Sequence, residues 1–477
     1  MYILVIINVL NLIYLFGLNT IYLLTSLLSL SALRKYARRL KSLSIEQLLT
    51  SAGAPPISLI VPAYNEEATC VASIRALLSL QYPDYEILVV NDGSQDQTLK
   101  FLQLAYDLSP APRMAQANLP TAAVEEIYHS KKFPNLWVID KANGGKADAL
   151  NAGLNYAQAP LFCAIDADSL LERDALLRVV RPFLENARTL AAGGIIRIVN
   201  GCHVENGCVT DVRLPDKLLA RFQVLEYLRA FLSGRMGWSV LGGTLIISGA
   251  FGLFRRGAAI EAGGYLTHTV GEDMELIVRL HRYARDKKMD YDIAFIPDPV
   301  AWTECPESLK ILGSQRNRWQ RGLIETLFQH RRMLLNPRYG RLGFLAYPYY
   351  FFFEMLGPIL EILGYLSILA TALLGLLSWP FFVAFFLVAF IYGSIISIFS
   401  IALEELTFRR YQNKGDLGRL MLTALLESFG YRQLLTLWRV QGVLNLLFGK
   451  RHKKQWGQME RKGFATATDP APVQGVH

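Results

Sequence analysis

Leu161-Phe-Cys-Ala-Ile-Asp-Ala-Asp168 is a short apolar run closed by two carboxylates that flank a single alanine. An apolar run of that length, bounded by polar residues, reads as a strand buried on both faces. Two acids one residue apart at a strand end lie on one side of it. That arrangement suits Mg2+ or Mn2+, which prefer oxygen ligands and can bridge to a diphosphate. Alone, the same pattern is equally that of a solvated loop, so its weight comes from what surrounds it.

Upstream the signal recurs. Ile57-Ser-Leu-Ile-Val61 reads as a buried strand ended by Pro62, a helix is expected from about Glu66 to Leu80, and Glu86-Ile-Leu-Val-Val90 reads as the next strand. Leu136–Ile139 follows as a strand and Lys146–Tyr156 as a helix before the opening stretch is reached. Such a series predicts a Rossmann-like α/β domain with a mostly parallel sheet, whose ligands bind at the carboxyl ends of the strands. The polar clusters fall at those ends: Asn65 and Glu66, then Asp92-Gly93-Ser94, then Asn143-Gly-Gly-Lys146, then Asp166 and Asp168. Segment 107–135, rich in proline and alanine, reads as a long loop to which the sequence assigns no role.

Each cluster has a chemistry and a plainer alternative. A carboxylate at a strand end, such as Asp92, can accept from a base NH or a ribose hydroxyl, although Asp-Gly is also an ordinary turn. Lys146 follows two glycines at a helix start, where its charge and free amides would meet a diphosphate; the alternative is a solvated lysine. Gly271-Glu272-Asp273 precedes the amphipathic stretch MELIVRLHR, so one acid is expected to cap a helix. Transfer with inversion needs a carboxylate to take the acceptor's proton, and Asp273 is the candidate, with Glu272 second. In Gln315-Arg316-Asn317-Arg318-Trp319, Arg318 would neutralise a departing diphosphate, Trp319 offers a flat apolar face to a sugar and Gln315 an amide. A basic interfacial helix is the alternative there.

Outside this region the chain is apolar. Of 477 residues, 52% are hydrophobic, above the usual share of a soluble domain, and the excess lies at the two ends. Residues 3–30 carry no charge and are long enough for a hydrocarbon core of roughly 30 Å. Arg34, Lys35, Arg38, Arg39 and Lys41 follow that run, the order of a retained anchor with a cytoplasmic carboxyl end, whereas a cleaved signal has its basic residues first. Further spans are expected at 342–374 and 380–403, with Arg409, Arg410 and Lys414 returning the chain to the cytoplasm. Glu427, Arg432 and Arg439 interrupt segment 417–448, which is expected to be interfacial or re-entrant. The net charge of +9 gathers beside apolar segments, at 34–41, 331–341 and 449–462, which points to anionic lipid and away from nucleic acid. Cysteines 70, 163, 202, 208 and 305 form no CxxC pair and read as reduced and structural.

The expected organisation is an anchor at 1–33, a basic linker at 34–54, a cytoplasmic catalytic domain at 55–306 and interfacial helices with QRNRW at 307–341. A membrane hairpin follows at 342–404, then interfacial or re-entrant helices at 405–448 and a basic tail at 449–477.

Pro62-Ala-Tyr64-Asn-Glu66, Asn91-Asp-Gly-Ser94, Asp166-Ala-Asp168, Gly271-Glu-Asp273 and Gln315-Arg-Asn-Arg-Trp319, in this order, resemble the processive family 2 glycosyltransferases. That group contains hyaluronan, cellulose, chitin and poly-N-acetylglucosamine synthases. The resemblance covers roughly residues 55–335. It implies a GT-A fold and a UDP-sugar donor held by Tyr64, Glu66, Asp92, Lys146, Asp166 and Arg318, with Mg2+ or Mn2+ on Asp168 and Asp166. It also implies Asp273 as catalytic base, Gln315 and Trp319 near the acceptor, and Ser248-Gly249-Ala250 in a loop beside the acceptor sugar. Trp456-Gly457 with Arg461 and Lys462 resembles a segment that gates nucleotide access in hyaluronan synthases; a plain basic tail is the alternative.

No PilZ domain fits after Phe448, which argues against a self-contained bacterial cellulose synthase. Three spans are few for an export channel, so a small membrane partner subunit or a homo-oligomer is expected to complete one. The reading is an inverting inner-membrane enzyme that extends a β-linked polysaccharide. A transferase adding a single sugar to a lipid or glycan is the nearest rival, and a non-catalytic envelope assembly subunit is the rival of another class.

Overall fold

Successive residues of a strand face opposite sides of a sheet, so a strand covered on both sides is apolar throughout. The computed structural model describes residues 2–42, 53–167, 169–205, 207–411 and 413–449. In it, β1 (Ile57–Ala63), β2 (Tyr85–Asp92), β5 (Leu136–Lys141) and β6 (Leu161–Ile165) form the parallel centre of a sheet. Leu59, Val61, Ile87, Val89 and Cys163 share one core, while Ile60, Leu88, Val90, Phe162 and Ala164 share the core on the opposite face. The uninterrupted apolar runs of the sequence are therefore two interleaved sets of core residues.

The remaining strands of this sheet are β3 (Leu108–Pro110), β4 (Val124–Ser130), β7 (Leu170–Leu171), β8 (Thr189–Ile198), β11 (Phe251–Arg255) and β12 (Asp292–Thr303). The order is β3-β4-β5-β2-β1-β6-β11-β8-β12-β7, and β9 (His203–Glu205) with β10 (Cys208–Asp211) makes a separate ribbon. β2 and β6 flank β1, so the strand order reverses there and leaves a crevice at the carboxyl ends. Helix α1 (Tyr2–Ser42) precedes the sheet, and α2 (Lys146–Tyr156) covers its crevice side. A side chain at Gly153 of α2 would meet Ile60 at 2.3 Å, so glycine lets the helix lie directly on β1.

The expectation of a loop over 107–135 is corrected: the segment supplies β4, antiparallel to β5, and β3, antiparallel to β4 at the edge of the sheet. Glu125 and Glu126 are exposed in the middle of β4, which masks the strand in the sequence, while Val124, Ile127 and Tyr128 pack against the cores. The chain between the two strands straps α2 down. Leu119 and Asn155 exchange hydrogen bonds at 2.7 and 2.9 Å, and the Ala122 amide donates to Asp148 at 3.1 Å. The helix expected from Glu66 begins instead at Cys70, after a turn in which Asn65 takes a left-handed φ of 54°.

Two helices, Tyr2–Arg38 and Trp379–Thr407, are long and apolar enough to cross a membrane; a third candidate is the pair Leu342–Met355 and Gly357–Leu373, bent by 42°. The asparagines of α1 bind the other candidates together. Asn19 donates to the Val388 carbonyl at 2.9 Å, and Asn11 donates to the Leu360 carbonyl. After Ser308 come α3 (Leu309–Gln329), with QRNRW in its first half, and α4 (Tyr431–Leu447) beyond helix Lys414–Leu426. The charges that interrupt the apolar pattern here point inward. Glu427 is buried against Arg229 at 2.8 Å and Arg432 at 3.3 Å, whereas Leu422, Leu425, Phe429 and Leu437 face outward. This inversion of the soluble pattern suits helices surrounded by lipid.

Candidate active site

The carboxyl ends of β1 and β2 carry two loops that bind one another. The Asn65 amide donates to Ser94 Oγ at 3.0 Å, the Gln95 amide donates to Asn65 Oδ1 at 2.8 Å, and the Glu66 amide donates to Thr98 Oγ1 at 2.8 Å. Tyr64 is half-buried at the start of this turn, and the buried Glu66 carboxylate accepts from Thr69 Oγ1 at 2.9 Å.

Asp92 lies in the same place but its carboxylate is turned onto its own chain. Oδ1 accepts from Lys141 Nζ at 2.6 Å and the Gly144 amide at 3.0 Å; Oδ2 accepts from the Gly145 amide at 2.7 Å and Asn143 Nδ2 at 3.2 Å. Both oxygens are thereby engaged in shaping the loop that leads to Lys146. Lys141, which no sequence pattern singles out, has a fully buried ammonium that also meets Asp148 at 2.8 Å. It neutralises two buried carboxylates at the hinge between β5 and α2, and only their approach in space makes it visible.

Lys146, the first residue of α2, reaches across to β6 and to a third helix end. Its Nζ is 2.5 Å from Asp166 Oδ1 and 3.4 Å from Glu272 Oε1. Burial alone would pull this ammonium down, but Asp166 and Glu272 outweigh it and hold the group above the ordinary lysine range. Burial pushes the Glu272 carboxyl above the usual carboxylate range, opposed by Lys146 and reinforced by Asp273. Glu272 and Asp273 are the first two residues of the helix Glu272–Asp286, and Gly271 holds the N-cap position, so neither acid is the cap expected from the sequence. Asp273 Oδ2 accepts from the Gly249 amide at 3.1 Å.

Lys146, Ser248, Gly249, Glu272 and Asp273 line one cavity together with Tyr265. Four separate segments thus present two acids, a cation and the Ser248-Gly249 loop to the same space, with Asp166 bonded to its lysine. Tyr265 was missed at the sequence level; it is 4% exposed, and burial together with Glu272 and Asp273 raises its hydroxyl's pKa. Its only sequence signal is an aromatic residue after two glycines. On α3, Gln315 and Arg318 are half-buried, Trp319 is 44% exposed, and the Arg316 guanidinium lies 4.2 Å from the Trp319 ring centre while pairing with Glu226 at 2.8 Å. Asp168, Trp456 and Arg461 lie outside the described residues.

A family model described as glycosyltransferase like family 2 matches residues 55–322, more than half of the chain. The chain belongs to glycosyltransferase family 2. It is 29% identical over 274 residues to a poly-beta-1,6-N-acetyl-D-glucosamine synthase of Staphylococcus epidermidis, covering 57% of this chain and 56% of the relative. A synthase of the same name from Staphylococcus aureus strain COL is 27% identical over 274 residues, with the same coverage of both chains. The chain therefore spans about half the length of the curated relatives it matches. Among solved structures, the mannosyltransferase PcManGT of Pyrobaculum calidifontis, in complex with GDP-Man and Mn2+, aligns with a TM-score of 0.50 at 17% identity. That alignment covers 87% of this chain and 99% of the mannosyltransferase. The fold of this family 2 enzyme is of the GT-A type, as its mostly parallel sheet and the described motif positions require.

A divalent ion fits the donor chemistry at the β6 end. Asp166 offers an oxygen donor of the kind hard cations prefer, on a side chain 32% exposed and paired with Lys146. Among the described residues no three metal-ligating side chains group together, and the second acid of the motif, Asp168, lies outside them.

Proposed function

We propose that this enzyme is an inverting membrane glycosyltransferase that extends a β-linked polysaccharide from a UDP-sugar, with N-acetylglucosamine the first sugar to test. The observation that carries the reading is the single cavity in which Asp273, Glu272, Lys146 and the Ser248-Gly249 loop meet. The named synthases among its relatives favour a polymer product and that sugar. The basic residues that follow the first apolar helix favour a catalytic domain on the cytoplasmic side of the inner membrane, with several passes through it.

In this mechanism Asp273 takes the proton of an acceptor hydroxyl as its oxygen attacks the anomeric carbon opposite the leaving UDP. The bond between that carbon and the diphosphate oxygen breaks, its electron pair leaves with UDP, and an α-linked donor becomes a β-linkage. The Gly249 amide fixes the orientation of the Asp273 carboxylate. Lys146, kept charged by Asp166 and Glu272, offsets negative charge on the leaving diphosphate, and Arg318 adds a second cation. Mg2+ or Mn2+, held by Asp166 and Asp168, would supply further neutralisation of that diphosphate when bound. Asp92 serves by holding the Asn143–Lys146 loop, beside Tyr64 and Glu66 on the nucleoside side. Trp319 and Gln315 stand on the acceptor side with Ser248.

The test is purified full-length protein in detergent, given single UDP-sugars with Mg2+ or Mn2+, with UDP release and product mass as readouts. A ladder of β-linked products is expected. One added sugar per acceptor would replace polymerisation by single transfer, and no UDP release from any donor would return the chain to a non-catalytic envelope role.

A further inference from the structure

The helix that begins with Glu272 and Asp273 is held from outside the catalytic sheet. Its lead-in, Thr269-Val270-Gly271, is gripped by α3. Glu325 Oε2 accepts from Thr269 Oγ1 and from the Val270 amide, each at 3.1 Å, and Thr269 Oγ1 in turn accepts from the Gly271 amide at 3.2 Å. The relay holds the Val270 and Gly271 amides, the two that lead directly into the helix at Glu272, and so fixes the direction in which the chain enters it. The two backbones also touch: a side-chain carbon at Gly271 would lie 2.9 Å from Gly322 Cα, and one at Gly322 would lie 2.8 Å from Gly271 Cα. Neither position accepts a larger residue without separating the helices.

The other side of α3 is seated on the membrane-associated helices. A side chain at Gly313 would meet the Trp438 indole at 2.8 Å, and one at Gly442 would meet the Asn317 carbonyl at 2.9 Å. Arg439 Nε donates to Gln320 Oε1 at 2.8 Å, and Gln320 Nε2 donates to the Met355 carbonyl at 3.0 Å. The helix is thus clamped at one face to elements of the lipid region and at the other to the residue before Glu272.

We propose that Glu325 and Thr269 are positioning residues, which set the aim of Asp273 by tying the start of its helix to α3. The inference rests on the reading of Asp273 as the proton acceptor. Glu325 acts through the geometry of one oxygen, and its charge is not used: both donors converge on Oε2, a role that a glutamine amide oxygen fills equally. The donor side is held by Asp92 and the Asn143–Lys146 loop, which meets this helix through Lys146 and Glu272 at 3.4 Å, while Asp273 takes its aim from the helix start itself, so the larger effect falls on turnover.

The experiment measures kcat and donor KM for UDP-N-acetylglucosamine with Mn2+, and thermal unfolding, on full-length Thr269→Val, Thr269→Ser, Glu325→Ala, Glu325→Gln and Asp273→Asn in detergent. Displacement of a reacting group by about 1 Å typically costs about a hundredfold, so Thr269→Val and Glu325→Ala are expected to lose tenfold or more in kcat with donor KM within about threefold of wild type. Thr269→Ser and Glu325→Gln are expected to restore turnover. Wild-type kcat in Thr269→Val overturns the inference, as does a Glu325→Gln enzyme as slow as Glu325→Ala. Should Glu325→Ala fail to fold, the Thr269 pair decides. An inactive Asp273→Asn beside a fully active Thr269→Val overturns positioning alone, whereas near-normal turnover of Asp273→Asn overturns the base assignment and this inference with it.

Discussion

The Asp273 carboxylate and the Gly249 amide are joined by a 3.1 Å hydrogen bond that locks a helix start to a loop 24 residues upstream in the chain. One carboxylate oxygen is thereby spent on orientation, and the other also orders the helix by accepting from the Met274 amide at 2.8 Å. Asp273→Asn keeps the shape and removes the proposed base. General base catalysis is typically worth about 10²–10⁴ in rate, so kcat for UDP release in the presence of acceptor should fall by that factor while UDP binding, measured by calorimetry, is unchanged.

Gly249 lies against both Lys146 and Asp273. A side-chain carbon there would sit 3.2 Å from Lys146 Nζ and 3.5 Å from Asp273 Oδ2. Gly249→Ala should be tolerated with a loss of a few-fold, and Gly249→Val should block transfer. A valine variant with wild-type turnover would show that the loop does not border the reacting atoms.

Lys141 is the counterion of two buried carboxylates, at 2.6 Å from Asp92 and 2.8 Å from Asp148. Lys141→Met keeps the apolar stem and strands both charges, which costs about 3–5 kcal/mol when a buried pair is broken. Urea unfolding followed by tryptophan fluorescence should show that loss, and donor binding should weaken with it, because the Gly144 and Gly145 amides lose their anchor on Asp92. A change below about 1 kcal/mol would mean the cluster relaxes into water.

His281, on the helix that carries Asp273, is buried with Nε2 donating to the Thr244 carbonyl at 2.8 Å and Nδ1 accepting from the Tyr291 hydroxyl at 2.9 Å. Burial, reinforced by Arg285 and opposed by the Thr244 carbonyl, lowers its pKa from 6.5 to about 4. The folded protein therefore favours the neutral ring. Stability from this residue is present above pH 6.5 and is lost as pH falls toward 4, on the order of 3 kcal/mol in total. His281→Gln should flatten the unfolding midpoint over that interval; an unchanged acid limb would assign it to other groups.

The parallel centre of the sheet and the order of the motifs were legible in the amino-acid sequence, because β1, β2 and β6 are covered on both faces and leave unbroken apolar runs. The acids after each strand could be found for the same reason: the carboxyl ends of a parallel sheet are where such a fold leaves open space. Strand β4 was not legible, since Glu125 and Glu126 face water in its middle and its pairing with β3 and β5 is what makes it a strand. Lys141 and Glu325 were equally hidden. Each matters through a partner 49 or 56 residues distant, and neither stands in a pattern of its own.

What the sequence determined by itself was therefore local: which segments bury apolar side chains, where charge interrupts them, and that carboxylates gather after strands. Tertiary structure alone decided that Asp92 faces its own loop, that Lys146 joins Asp166 to Glu272, and that Glu325 of α3 holds the lead-in to the Asp273 helix. Hydrogen bonds and ion pairs act over about 3 Å between groups that no spacing along the chain relates. Their partners become knowable only when folding has brought them together.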